Sequence, residues 1–151
     1  MVCLFDSRVQ INDLSPFVDL SQSAHVNLNG ATKLRDVAFT WWRLPGWVIK
    51  TLRTVTHNHR ELKQITLEII SGAGITGYEH DIGRAVGENT YQEWLELDRL
   101  LVQLCELHPI RLKVLYHPYK GTNENRERRR MKILLPEMMT RRMVDLVGHH
   151  R

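Results

Sequence analysis

Gly72-Ala73-Gly74-Ile75-Thr76-Gly77 is a literal GxGxxG run, directly after an apolar segment that ends at Ile70. In dinucleotide-binding folds such glycines bring the backbone close to a pyrophosphate seated on a helix N-terminus. Gly72, Gly74 and Gly77 are therefore the alternative cofactor-binding residues of this chain. The motif also requires a helix opening at the third glycine and a ribose-binding acid about twenty residues on. Tyr78-Glu79-His80-Asp81-Ile82-Gly83 carries no helical apolar stripe, and the region where the acid belongs reads as an amphipathic helix. The plainer reading is a Gly-rich surface loop, with no cofactor.

Other residues with chemical potential are more easily accounted for. His57-Asn58-His59 falls at the end of a helical segment, where imidazoles complement the negative end of the dipole. Neither these nor His149-His150 have the converging partners of a metal site, so no metal is expected. Cys3 and Cys105 stand alone, without CxxC spacing, which suggests a reducing compartment rather than a disulfide framework. No Gly-x-Ser-x-Gly elbow occurs. Glu93, Glu96 and Asp98 sit in a helix whose pattern explains them as a cap, solvated groups or partners of Arg99. No catalytic residue is assigned.

Two features suit binding rather than catalysis. Arg126, Arg128, Arg129, Arg130 and Lys132 form a basic patch able to meet phosphates or an acidic surface, diluted by Glu124 and Glu127. Trp41-Trp42 with Trp47 places large aromatics at a strand-to-helix edge, and adjacent strand residues face opposite sides, which leaves one exposed unless the strand has ended.

The elements that must carry these residues follow from periodicity. Leu34-Arg35-Asp36-Val37-Ala38-Phe39 and Leu62-Lys63-Gln64-Ile65-Thr66-Leu67 both fit Leu-x-x-φ-x-φ with φ apolar, their leading leucines 28 positions apart. Arg111–Tyr116 and Met143–Val147 alternate in the same way, the signature of half-buried strands. Between them a helix is expected over 45–56, with Pro45 in its first turn and Val48, Leu52 and Val55 on one face. A second is expected over 91–107, opened by a Thr90-Tyr91-Gln92-Glu93 capping box, with Trp94, Leu97, Leu101 and Leu104 as its stripe. A third covers about 125–135 and stops near Pro136. Residues 1–33 form an N-terminal segment with weak strands, His25-Val26-Asn27-Leu28 reading as one more edge strand. Residues 34–147 form the βα-repeat domain with an inserted loop at 71–89, and 148–151 a tail. The expectation is an α/β fold: a short parallel sheet of leucine-rich-repeat-like βα units, helices mainly on one face.

The 151 residues suffice for one such domain, and no run of eighteen apolar residues exists. The net charge of +4 is local: residues 120–151 hold nine Lys/Arg against four Asp/Glu.

The stretches VNLNGATKLRDVAFTWWRLPGWVIKTLRTVTHNHRELKQITLEI, YQEWLELDRLLVQLCELHPIRLKVLY and LLPEMMTRRMVDLV resemble the C-terminal parts of uncharacterised basidiomycete fungal proteins of the F-box and leucine-rich-repeat type. Trp94-x-x-Leu97-Asp98-x-x-Leu101 and Leu135-Pro136-Glu137 carry most of the likeness, which covers roughly residues 18–148. The resemblance implies repeats that present a recognition surface. Leu44-Pro45-x-x-Val48 is similar to an F-box opening, but a strand follows it, so the F-box itself is absent and the chain reads as a truncated relative. The resulting expectation is a non-catalytic, intracellular (cytoplasmic or nuclear) interaction module. Its candidate partner-binding residues are Arg35, Thr40, Trp42, Thr66, Lys113 and Tyr116. The partner is another protein, self-association is open, and no membrane is involved. The nucleotide loop and the basic patch, with nucleic acid as its ligand, are the alternatives.

Overall fold

Alternation along the strands decides which way the sheet faces. The computed structural model describes residues 2–5, 8–12, 27–41, 46–69, 82–116 and 123–148. Their elements are β1 (Val2–Phe5), β2 (Arg8–Asn12), β3 (Asp36–Trp41), α1 (Gly46–Leu52), β4 (Gln64–Ile69), α2 (Ile82–Leu107), β5 (Arg111–Tyr116), α3 (Glu124–Leu134), α4 (Pro136–Thr140) and β6 (Val144–Gly148). The strands lie in one sheet in chain order. β1 runs antiparallel to β2, and β2 to β6 pair in parallel throughout. The fold is α/β.

The register aligns apolar residues into rows. Val37, Ile65, Leu112 and Val144 form one, and Phe39, Leu67, Val114 and Leu146 the next. These rows pack in a single cluster with residues of all four helices, including Trp47, Leu52, Trp94, Leu101, Leu134 and Met138. Phe39 and Trp47 meet edge to face, with ring centroids 5.7 Å apart. When successive parallel strands are added in one direction with one crossover hand, their helices must fall on the same face. Leu34 and Leu62, each two residues ahead of its strand, are buried together beneath the sheet's entry edge. Leu112 is not their counterpart. It sits in the row of Val37 and Ile65, and Ile110 takes the buried position before β5.

Four features differ from the sequence expectation. The helix expected over 45–56 ends at Leu52, so Val55 is buried in the turn that follows it. α2 opens at Ile82, so Thr90 lies inside the helix and Glu93 caps nothing at its start, while the expected loop 71–89 is helical from 82 onward. Gly83 and Gly87 lower the local helix propensity, but once the Trp94 stripe docks, each further turn upstream adds hydrogen bonds without a new nucleus. Pro136 does not merely stop a helix; it opens α4, where its missing N–H is one of those unpaired at any helix start. The strand beside β3 is β2, not 25–28. Asn27 and Leu28 are outside any strand, and residues 25–26 lie outside the described set.

Leu28 explains His59. Its N–H donates to Thr54 Oγ1 at 2.8 Å, and its carbonyl accepts from His59 Nε2 at 2.7 Å. Thr56 N–H donates to His59 Nδ1 at 2.9 Å, which assigns the proton to Nε2. His59 is fully buried and ties the turn before β3 to the turn before β4, rather than capping α1, which ends at Leu52. His59→Phe keeps the volume but removes the acceptor of the part-buried Thr56 N–H and one of the two donors to the Leu28 carbonyl, which keeps Ala31 N–H. The expected loss is about 1–3 kcal/mol, read as a lower denaturant midpoint with an unchanged m-value.

Candidate functional site

The face of the sheet away from the helices is the candidate site. Period 2 points Asp36, Ala38 and Thr40 of β3 to it, with Gln64, Thr66 and Glu68 of β4, Arg111, Lys113 and Leu115 of β5, and Asp145 and Val147 of β6. Its centre is small and close-packed: Ala38, Thr40 and Thr66 are buried. Thr40 Oγ1 donates to Glu68 Oε2 at 3.1 Å, and Gln64 Nε2 donates to Thr66 Oγ1 at 3.1 Å. The Arg111 guanidinium grips Asp145 with two bonds, 3.2 Å from Nε and 2.5 Å from a terminal nitrogen. Lys113, half-buried in register with Thr66 and Asp145, has no side-chain partner among the described residues.

The face therefore gathers three of the six expected binding residues, Thr40, Thr66 and Lys113. Tyr116 does not join them. It is three positions from Lys113, so alternation turns it, half-buried, toward the helix side. Arg35 precedes β3 at the sheet's rim, exposed and paired with Glu61 at 3.5 Å. Trp42 lies outside the described residues; of the other two tryptophans in that group, Trp47 is buried. Residue-by-residue reasoning missed Asp36, Gln64, Glu68, Arg111 and Asp145. Strict alternation combined with a parallel register would have found them.

No family model, curated protein or solved structure matches the chain.

Gly72, Gly74 and Gly77 lie outside the described residues. β4 ends at Ile69 and α2 opens at Ile82, five positions beyond Gly77. A dinucleotide crevice forms where strand order reverses, and this sheet runs β1 to β6 without reversal. The geometry that gives the glycine motif meaning is absent among the described strands. Nor do three His, Cys, Asp or Glu side chains converge there as a metal site requires. No helix among the described residues is long and apolar enough to cross a membrane.

The basic cluster is also redistributed. α3 is capped by Asn123, whose Oδ1 accepts from Arg126 N–H at 2.9 Å. Helical spacing then turns Glu127, Arg130, Met131 and Leu134 toward the core. Arg130 is 8% exposed and pairs with buried Glu127 at 3.1 Å, while Arg128 pairs with Glu124 one turn back. Arg126, Arg128, Arg129, Arg130 and Lys132 are thus not one exposed patch, because they circle a helix of which one side is core. Burial pushes the Glu127 carboxyl above its usual range, outweighing the pull of Arg130 and Arg126. Burial likewise raises the Cys105 thiol, disfavouring its thiolate.

Asp98 is not a solvated helix residue. It is 2% exposed, and its carboxylate accepts from Glu137 N–H at 3.0 Å and Met138 N–H at 3.1 Å. α4 has no side-chain cap of its own, so Asp98 of α2 caps it from across the helix layer. Burial raises the Asp98 pKa, partly offset by these two N–H groups.

Proposed function

We propose that this chain is a non-catalytic, intracellular protein-interaction module of leucine-rich-repeat type, comparable to the substrate-recognition part of an F-box-type protein. The observation that carries the reading is a largely polar face of a parallel sheet, on the side away from the described helices. Parallel sheets ordinarily bear helices on both sides, so their strands read as continuous apolar runs. Here Asp36, Gln64, Glu68, Arg111, Lys113 and Asp145 alternate with the core rows around a buried centre of Ala38, Thr40 and Thr66, and the described helices pack on the other face. Partner side chains and bridging water suit it, as at the polar interfaces of non-obligate complexes.

Affinity capture with paired variants tests this. Lys113→Glu inverts the charge at the middle of the face, and Arg99→Glu does so on the exposed side of α2. Arg99→Glu should change stability by no more than about 0.5 kcal/mol, and Lys113→Glu, which faces Asp145 across the strands, should destabilise by up to about 1 kcal/mol and still fold. The protein retained by the wild type and by Arg99→Glu should bind Lys113→Glu at least about tenfold more weakly, a loss of about 1.4 kcal/mol. Equal retention by all three folded baits would remove the open face as the binding surface.

A further inference from the structure

Beyond the open face, the edge at which the parallel strands begin carries a row of cations. Arg35 and Lys63 occupy the same register position ahead of β3 and β4, with Lys63 N–H bonded to the Arg35 carbonyl at 2.9 Å. In that register the line continues through Ile110 to Arg142, while Arg111, whose N–H donates to the Lys63 carbonyl at 2.9 Å, lies one residue further on and turns to the open face. All four basic residues are exposed, and exposed Lys33 and Arg60 stand in the turns that lead into β3 and β4. Asp36, Glu61 and Asp145 are the carboxylates nearby. Glu61 and Asp145 hold Arg35 and Arg111 in exposed pairs, whereas Lys63 and Arg142 have no ion-pair partner among the described residues.

Neighbouring like charges across strands destabilise a sheet. Arg142 adds a second cost. Its φ of 55° lies in the left-handed region, at the position after α4 where Arg142 N–H bonds Met139 O and Met143 N–H bonds Met138 O. Glycine fills that position without strain in most helices that end this way. Cationic side chains are thus held on this edge against the preference of the fold.

We infer that the strand-entry edge formed by Arg35, Lys63, Arg111 and Arg142 docks an acidic peptide segment of a partner protein. Adjacent strands are about 4.8 Å apart, so the row spans about 14 Å, the reach of four or five extended residues. A peptide can place single carboxylates over Lys63 and Arg142 and exchange with Glu61 and Asp145 in their weak exposed pairs. Duplex DNA carries a charge every 1.7 Å or so of its axis and would press phosphates onto Asp36, Glu61 and Asp145 as well. The inference rests on the interaction-module reading for the partner being a protein.

Fluorescein-labelled hexaglutamate, followed by anisotropy at low salt, is the probe, with a labelled 20-bp DNA duplex alongside. The full chain should bind the peptide saturably and in preference to the duplex. Lys63→Gln/Arg142→Gly should weaken peptide binding at least tenfold while raising the melting temperature by about 2–4 °C, so the loss cannot come from misfolding. Arg35→Gln/Arg111→Gln should weaken it as well, and Arg129→Gln/Lys132→Gln on α3 should leave it within twofold. Absent saturable peptide binding, equal loss in the α3 variant, or tighter duplex binding that the edge variants abolish would each overturn the proposal. Failure here is separable from failure of the module reading, which is scored on captured protein with Lys113→Glu.

Discussion

Asp98→Ala is expected to destabilise the fold by about 3–5 kcal/mol, since each of its two bonds to α4 is charge-assisted and worth about 1.5–3 kcal/mol. The N–H groups of Glu137 and Met138 would lose their acceptors at the only cap α4 has. Asn in the same place retains one acceptor oxygen but turns an NH2 toward the other donor, so Asp98→Asn should fall between alanine and wild type. Hydrogen exchange adds a spatial signature. Amides of α4 and β6 should lose protection before those of β3 and β4, because α4 is held to α2 through this carboxylate and leads directly into β6. Uniform loss of protection would mean that Asp98 supports the whole core and not the α4 joint. Chemical denaturation at neutral pH supplies the magnitude.

That joint unites two distant stretches of the chain. Trp94-x-x-Leu97-Asp98-x-x-Leu101 and Leu135-Pro136-Glu137 are distant in the chain, yet they are two halves of one contact. Trp94, Leu97 and Leu101 fill the core while Asp98 reaches the first amides after Pro136. These residues hold α2 and α4 together, and of their side chains only those of Pro136 and Glu137 reach the surface. The residues from which a likeness to F-box and leucine-rich-repeat proteins is expected are therefore structural ones, and the proposed recognition surface rests instead on alternation in the strands.

The four later strands were legible because Val37, Phe39, Ile65, Leu67, Leu112 and Val114 recur at period 2, and burial on one face makes that period unavoidable. The charged α3 and the Trp94 stripe were legible for the corresponding helical reason. The start of α2 was not, since Gly83, Gly87 and scattered apolar residues carry no local signal, and the helix there propagates from a distant docked turn. Arg8-Val9-Gln10-Ile11-Asn12 alternates, but five residues at a chain terminus give little pattern to set against noise. Its strand identity comes from pairing with β3, a non-local fact. For the site, Thr40, Thr66 and Lys113 were found by their strand positions. Tyr116 was misplaced because counting along a strand without fixing its parity to the buried row assigns the wrong face. Arg130 was misplaced because a run of arginines suggests a surface, while its spacing from Met131 and Leu134 brings it to the core.

The buried pair in α3 yields the second large effect. Glu127→Ala should cost up to about 3–5 kcal/mol, since it takes a buried carboxylate from the Arg130 guanidinium, which is 8% exposed. Replacing both, as Glu127→Leu/Arg130→Met, removes two desolvation penalties together and should be neutral or stabilising by about 1–4 kcal/mol. Strong non-additivity between the single and double variants is the quantity to measure, by denaturant titration. If the double variant loses as much as the sum of both singles, the pair is a net stabiliser and the desolvation argument fails. The pH dependence supplies an independent check of sign. Burial raises the folded-state pKa of Glu127 above its ordinary value of 4.5, so the folded protein binds the proton more tightly than the unfolded chain does. Its contribution to stability is complete below that value and is lost as pH rises through the raised folded value. Subtracting the stability of Glu127→Gln from that of the wild type at each pH isolates this one group. The difference should decline as pH is raised from 4.5 toward neutrality, because ionising Glu127 in a dry site costs more than Arg130 and Arg126 return. A difference that grows with pH would show the opposite balance, with the ion pair outweighing the burial of its two charges.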